Sequence, residues 1–213
     1  MDMDIVTEVG CSVMTPGTTT MSAHLLYDIA RKLPDGAEVD IAVGDGHAIV
    51  SAGRSSFRLP TLPVEDFPAI NSSDLPINFT LSAADVRDLM DATRFAISTE
   101  ETRYYLNGIF IHKAESGELC AVATDGHRLA LTRQALPSGA AQMPSIIMPR
   151  KAVNELRKLL DDFDGEVLVS LSETRAEFRF DVVRLTSKLI DGTFPDYTRV
   201  IPVGNDRIMQ VDV

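Results

Sequence analysis

The chain has 213 residues, is 45% hydrophobic and carries a formal net charge of −11. That length and apolar share suffice for the core of one large or two ordinary domains. The charge excludes a protein that grips nucleic acid over its whole surface, while leaving room for a local basic face.

Met1-Asp2-Met3-Asp4 lacks the charged-then-apolar pattern of a secretion leader, and no later run of about 18 apolar residues would span a membrane. Ile5 to Val13 alternates loosely and reads as a strand. Cys11 and Cys120 match no metal or redox spacing and read as ordinary reduced thiols, as in a cytoplasmic protein. Thr15-Pro16-Gly17 is a turn, and Thr18 to Met21 is β-prone. Ser22 fits a helix N-cap, and Ala23 to Leu33 a helix. Its apolar side is Leu26, Ile29 and Leu33, with Leu25 beside them; His24, Asp28, Arg31 and Lys32 lie opposite. Pro34-Asp35-Gly36 ends it. Val39 to Val43, Ala48 to Ala52 and Ser56 to Leu59 read as strands, with Asp45-Gly46 as a hairpin turn. Leu62 to Pro68 is extended and Pro-rich. Asn71-Ser72-Ser73-Asp74-Leu75-Pro76 is polar, short and Pro-ended, which marks a domain boundary.

Beyond it, Ile77 to Leu81 reads as a strand. Ser82 caps a helix to about Ser98, with Val86, Leu89, Met90, Thr93 and Ile97 on the buried side. Tyr104 to Ile111 and Leu119 to Ala123 read as strands paired about a Glu115-Ser116-Gly117-Glu118 turn. Thr124-Asp125-Gly126-His127-Arg128-Leu129-Ala130 follows. Asp-Gly inside a strand predicts a bulge or tight bend that pushes His127 and Arg128 out of the sheet. Pro137 to Pro144 is a loop, Ser145 to Met148 a strand, and Pro149 opens a helix to about Asp161. There Val153, Leu156, Leu159 and Leu160 oppose Arg150, Lys151, Asn154, Arg157 and Lys158. Gly165 to Leu171, Arg175 to Phe180 and Val183 to Lys188 read as strands. Phe194-Pro195-Asp196-Tyr197 closes this unit, Val203-Gly204-Asn205-Asp206 is a second linker, and Ile208 to Val213 begin another element.

The same order of helix, turn, three strands and Phe-Pro terminus thus occurs twice. A shift of 127 positions carries His24 to Lys151, Leu26 to Val153, Ile29 to Leu156, Arg31 to Lys158 and Leu33 to Leu160. It also carries Phe67-Pro68 to Phe194-Pro195, with one-residue slips in the strands between. A cationic helix face repeated at domain spacing points to helices facing one polyanion.

Specific motifs strengthen this. Ala23 to Lys32 with Leu33-Pro34-Asp35-Gly36, Gly53-Arg54-Ser55, Leu62-Pro63 with Asp66-Phe67-Pro68, Arg103 to Gly108, Ala123 to Ala130, Pro149-Arg150-Lys151, and Thr186-Ser187-Lys188-Leu189 with Phe194-Pro195-Asp196-Tyr197 resemble the bacterial sliding-clamp family, the beta subunit of DNA polymerase III. The likeness covers essentially the whole chain. It implies an α+β DNA-clamp fold of tandem domains, with helices on an inner face and antiparallel sheets outside. Residues 1–71 would be the rear part of a first clamp domain, 72–202 a complete middle domain and 203–213 the start of a third. Met1 would then match an interior position of the family pattern.

The resemblance further implies a non-catalytic processivity subunit without cofactor or metal, cytoplasmic and nucleoid-associated. Its subunits would join head to tail as a dimeric ring around double-stranded DNA, bound without sequence preference. DNA would meet Arg31, Lys32, Arg103, Tyr104, Tyr105, Arg150 and Lys151, with Arg157, Lys158 and Arg94 as further cations on helical position. A peptide pocket would use Leu106, Thr124, Gly126, His127, Arg128, Leu129, Pro195, Arg199 and Val200 to dock linear motifs of polymerase and clamp-loader subunits. Phe57 and Leu59 would lie at the dimer interface. Two other readings remain open at this point. One is a repeat-built peptide scaffold that ignores DNA; the other is a hydrolase built on Asp125 and His127, two residues apart and able to share a strand side. No nucleophile elbow or metal-ligand spacing accompanies that pair.

Overall fold

The computed structural model describes residues 2–68, 70, 74–204, 206 and 210. Asn71, Ser72 and Ser73 of the first predicted linker, Asn205 of the second, and all of 208–213 but Gln210 lie outside the described residues. The chain forms two compact units, one of residues 9–69 and one of residues 2–8 with 70–213.

The first unit is short. Helix α1 (Ala23–Ala30) begins where Ser22 accepts a hydrogen bond from the Leu25 amide, an ordinary serine cap. Leu26 and Ile29 are half-buried on the side that the periodicity assigns to them. With β1 (Met3–Thr7) preceding in the chain, the strands β2 (Asp40–Gly44), β3 (His47–Ala52) and β4 (Ser55–Pro60) form an antiparallel sheet in the order β2-β3-β4. Gly46, at φ 70, makes the tight turn between the first two. Of the predicted Ile5–Val13 strand only residues 5–7 are extended as part of β1, which starts earlier at Met3, and Thr18 to Met21 forms no strand.

The second unit repeats one module twice. The first copy is β5 (Ile77–Ser82), α2 (Ala83–Asp91), β6 (Gly108–Lys113), β7 (Glu118–Thr124) and β8 (Leu129–Ala135). The second is β9 (Ile146–Pro149), α3 (Arg150–Leu159), β10 (Glu166–Leu171), β11 (Arg175–Phe180) and β12 (Val183–Lys188). Each opening strand crosses to the other copy's sheet, giving orders β8-β7-β6-β9 and β1-β12-β11-β10-β5. Strand β1 pairs with β12 from Met3 opposite Ser187 to Thr7 opposite Val183. It therefore groups with the second unit, although the sequence places it with the first. A core of both sheets and both helices includes Phe79, Leu89, Ile109, Leu156, Val169 and Leu185.

The sequence repeat is visible in the strand pairing. Asp40 opposite Ser51 and His47 opposite Pro60 in the first unit become Leu168 opposite Arg179 and Arg175 opposite Lys188 in the second. All four residues move by 128 positions, whereas the helix starts, Ala23 and Arg150, differ by 127. One residue inserted between helix and sheet accounts for the slip.

Two local expectations fail. Residues Glu101–Leu106 form 3-10 turns broken at Arg103, not a strand. The Asn107 amide donates to Tyr104 O (3.0 Å), and its side-chain amide to Glu100 O (3.1 Å), which curls the segment before β6 begins. The helix after Ser82 stops at Asp91, not Ser98. The Thr93 hydroxyl donates to Leu89 O at 2.7 Å and a 3-10 turn, Arg94–Ala96, follows.

Candidate functional site

Alternation in one sheet creates two apolar faces. Along β6, β7, β8 and β9, Ile109, Ala121, Ala123, Ala130, Ile146 and Met148 point into the main core. Phe110, Val122, Leu129, Leu131 and Ile147 point the other way. There they meet Leu106, Phe194, Tyr197 and Ile201, forming a second, smaller cluster. Phe110 stacks on Phe194 with ring centroids 4.8 Å apart, and His112 Nε2 lies 3.0 Å from the Tyr197 hydroxyl. The segment after β12 thus packs on the outer face and leaves Leu129 half-buried.

The rim is made by two turns of like construction. Asp125-Gly126-His127-Arg128 is a tight bend between β7 and β8, not a bulge within one strand. Asp125 Oδ1 accepts from the backbone amides of His127 (2.9 Å) and Arg128 (3.0 Å), and Oδ2 accepts from Arg128 Nε (3.0 Å). The two backbone amides, and secondarily the guanidinium, hold this carboxyl down at about 2. Thr124 donates its hydroxyl to Arg128 O and accepts from the Gly126 amide, closing the loop. Gly126 stands at φ 89. In the second turn Asp196 accepts from the hydroxyl and amide of Thr198 and from Arg199 Nε (2.9 Å). The Thr198 hydroxyl is the main cause of its lowered pKa. Both arginines therefore rest on an aspartate three residues earlier.

Of the predicted pocket residues, Leu106 and Leu129 share this cluster. Thr124, Gly126 and Arg128 form its first rim and Arg199 its second, with His127, Pro195 and Val200 exposed on the same turns. The sequence reading missed Phe194, Tyr197, Ile201, Asp196 and Phe110. The second Asp-x-x-Arg, Asp196 to Arg199, repeats the spacing of Asp125 to Arg128 and was the available signal. The Asp125–His127 dyad is absent: the carboxylate holds the His127 backbone, and its depressed pKa makes it a poor base.

The predicted cations fall into two groups. Arg103 makes two hydrogen bonds to Glu100, both 2.8 Å, and Arg31 pairs with Asp28. Arg157 pairs with Asp91 and Asp161, Arg94 with Asp91, and Lys158 with Glu155. Lys32, Arg150 and Lys151 are exposed and have no side-chain ion pair among the described residues. The Arg150 amide donates to Asn107 O at 2.9 Å, and Pro149 pairs with Gly108. This places the start of α3 beside the Tyr104–Tyr105 turn, where Tyr104 is exposed and Tyr105 packs partly into the second cluster. On edge strand β4, Phe57 is exposed but Leu59 is buried, so Leu59 offers little surface to a partner. Among the described residues no group of His, Cys, Asp and Glu could hold a metal ion, and no helix is long and apolar enough to cross a membrane.

A strand–helix–three-strand module used repeatedly, with antiparallel sheets whose opening strands are exchanged, defines the DNA-clamp class of α+β folds. Family models for the DNA polymerase III beta subunit match twice, the N-terminal domain over residues 1–71 and the central domain over residues 80–196. The beta sliding clamp of Caulobacter vibrioides is 46% identical over the whole chain, and that of Escherichia coli K12 is 39% identical over 99% of it. A crystal structure of the Bartonella birtlesii sliding clamp bound to griselimycin superposes with a TM-score of 0.93 at 49% identity, covering 97% of this chain and 56% of that one. The chain belongs to the DNA polymerase III beta subunit family. It spans 58% and 57% of the two curated relatives.

Proposed function

We propose that this chain is part of a sliding clamp that encircles duplex DNA and tethers a replicative polymerase through short peptides. Residues 1–71 belong to a first clamp domain, 72–202 to the middle domain and 203–213 to the opening of a third. Such a clamp breaks no bonds; a closed ring slides but does not dissociate. Lys32, Arg150 and Lys151 meet phosphates loosely, with Tyr104 near the last two, and Arg31 and Arg103 do so only by sharing their carboxylate partners. Contacts of this kind carry no sequence information, so sliding stays unhindered. The chain's net charge of −11 keeps the outer surface from competing for DNA. Phe57 contributes to a head-to-tail subunit contact in the complete protein.

The single observation that carries the docking role is the second apolar cluster. A covered core needs no arginine rim, yet Leu129 is half-buried against this cluster, with Arg128 next to it in the chain and Arg199 two residues before Ile201 of the same cluster. Leucine or phenylalanine side chains of a peptide complete such a patch, and the guanidinium forks bind its carbonyl or carboxylate oxygens. Calorimetry with a Gln-Leu-Ser-Leu-Phe peptide tests this. Leu129→Asp abolishes binding with the circular dichroism spectrum unchanged, because a carboxylate would enter the apolar margin. Unaltered affinity in that variant removes the groove assignment. Griselimycin, bound by the Bartonella birtlesii clamp, is a second probe for this chain.

A further inference from the structure

Phe95 stands 56% exposed in the 3-10 turn after α2, although Thr93 and Ala96 around it are fully buried and Ile97 nearly so. What covers it is Arg128, whose guanidinium carbon lies 5.8 Å from the ring centroid. That distance falls within cation–π range. The same guanidinium is held at Nε by Asp125. Arg128 is thus fixed at two points, by the aspartate of its own turn and by a ring from another element. Its two outer nitrogens have no hydrogen-bond partner among the described residues. Arg199, anchored on Asp196 alone, is 83% exposed against 59% for Arg128. Arg128 has an aromatic contact that Arg199 lacks among the described residues.

We propose that Phe95 is a positioning residue of the docking groove, a shelf that holds the Arg128 fork ready for oxygen atoms of an incoming peptide. A fork already immobilised loses less side-chain freedom on binding, so its hydrogen bonds count more fully toward affinity. The inference rests on the groove reading given under Proposed function. It adds a residue from a different element, outside the groove's own turns.

Fluorescence polarisation of a fluorescein-labelled Gln-Leu-Ser-Leu-Phe peptide on the 213-residue chain tests it. Phe95→Leu keeps the apolar bulk and removes the ring. It weakens binding about two- to fivefold, the range of an exposed cation–π contact. Phe95→Tyr restores affinity. In an Arg128→Gln background, Phe95→Leu changes nothing further, since its effect runs through the guanidinium. Equal losses in both backgrounds, no loss in either, or failure of Tyr to restore binding each overturn the shelf. Leu129→Asp separates the two levels. If it abolishes binding while Phe95→Leu is silent, only the shelf is wrong. If the peptide binds equally with and without it, or not at all, the groove is wrong and the shelf falls with it.

Discussion

Gly126 and Asp125 decide the shape of the rim, and each does so for a different physical reason. At φ 89 the backbone at 126 lies where a Cβ is disfavoured. A Cβ there would also approach Arg103 Nη1 to 2.7 Å, but that is the far end of a flexible side chain and can move. The backbone term therefore dominates. Gly126→Ala should cost about 1–2 kcal/mol in a urea titration, with the Arg103–Glu100 pair retained. Asp125 acts through charge. Its folded pKa lies below the ordinary carboxylate value of about 4, so the ionised form favours the folded turn. That contribution is complete above about pH 4 and is lost as the pH falls through about 2. Urea midpoints measured down that range should fall less steeply in Asp125→Asn than in the parent. Asp196 is depressed in the same direction and leaves a residual slope. From sequence alone, Asp-Gly flagged a sharp turn correctly, but not that it joins two strands. Alternation alone does not single out Leu106 and Leu129, because a half-covered second face has the same pattern as a buried one; only the family resemblance places them in a pocket.

At the level of elements, α3 is the most legible and the most firmly held. Its stripe of Val153, Leu156 and Leu160 is fully buried, at the positions that a 3.6-residue period assigns. The sequence did not reveal which of its cations are free. Arg157 ties α3 to α2 through Asp91, and Arg87 of α2 donates to Leu160 O (2.8 Å), Phe163 O (2.5 Å) and Asp164 (2.8 Å) just past the helix end. Those partners are 66 to 77 residues apart in sequence, beyond any local pattern. Leu156→Ala should therefore lower stability by about 2–5 kcal/mol in a thermal or urea melt. The aromatic-rich Tyr104–Leu106 failed as a strand for a similar reason. The bonds that Asn107 donates to Tyr104 O and Glu100 O outweigh β-propensity, which is weak where no neighbouring strand pairs. By contrast β11 and β12 match their predicted limits, since alternation and flanking turns there agree.

For the whole molecule, the useful fact is that the same pairing registers recur 128 positions apart while only some cations recur as free charges. Duplication copies the fold, and pairing then sorts which basic side chains remain available to a polyanion. Arg157, Arg94 and Lys158 are neutralised by carboxylates on α2 and α3, whereas Arg150 and Lys151 at the start of α3 are not. On the proposed DNA-facing reading, a count of basic residues on a helix overstates its phosphate contacts, and a count of unpaired ones sets the expected salt dependence. In a full-length clamp carrying this segment, Arg150→Glu with Lys151→Glu removes two such contacts per subunit. The slope of log retention against log salt should then fall in magnitude by roughly two for each subunit on DNA, since each neutralised phosphate contributes about 0.9. Charge reversal at Arg157 and Lys158 should change that slope far less and stability more, because it breaks the tie to Asp91 instead. Retention on nicked circular DNA across a salt series distinguishes the pairs. Equal slopes for both would mean that pairing within the fold does not govern which cations reach DNA.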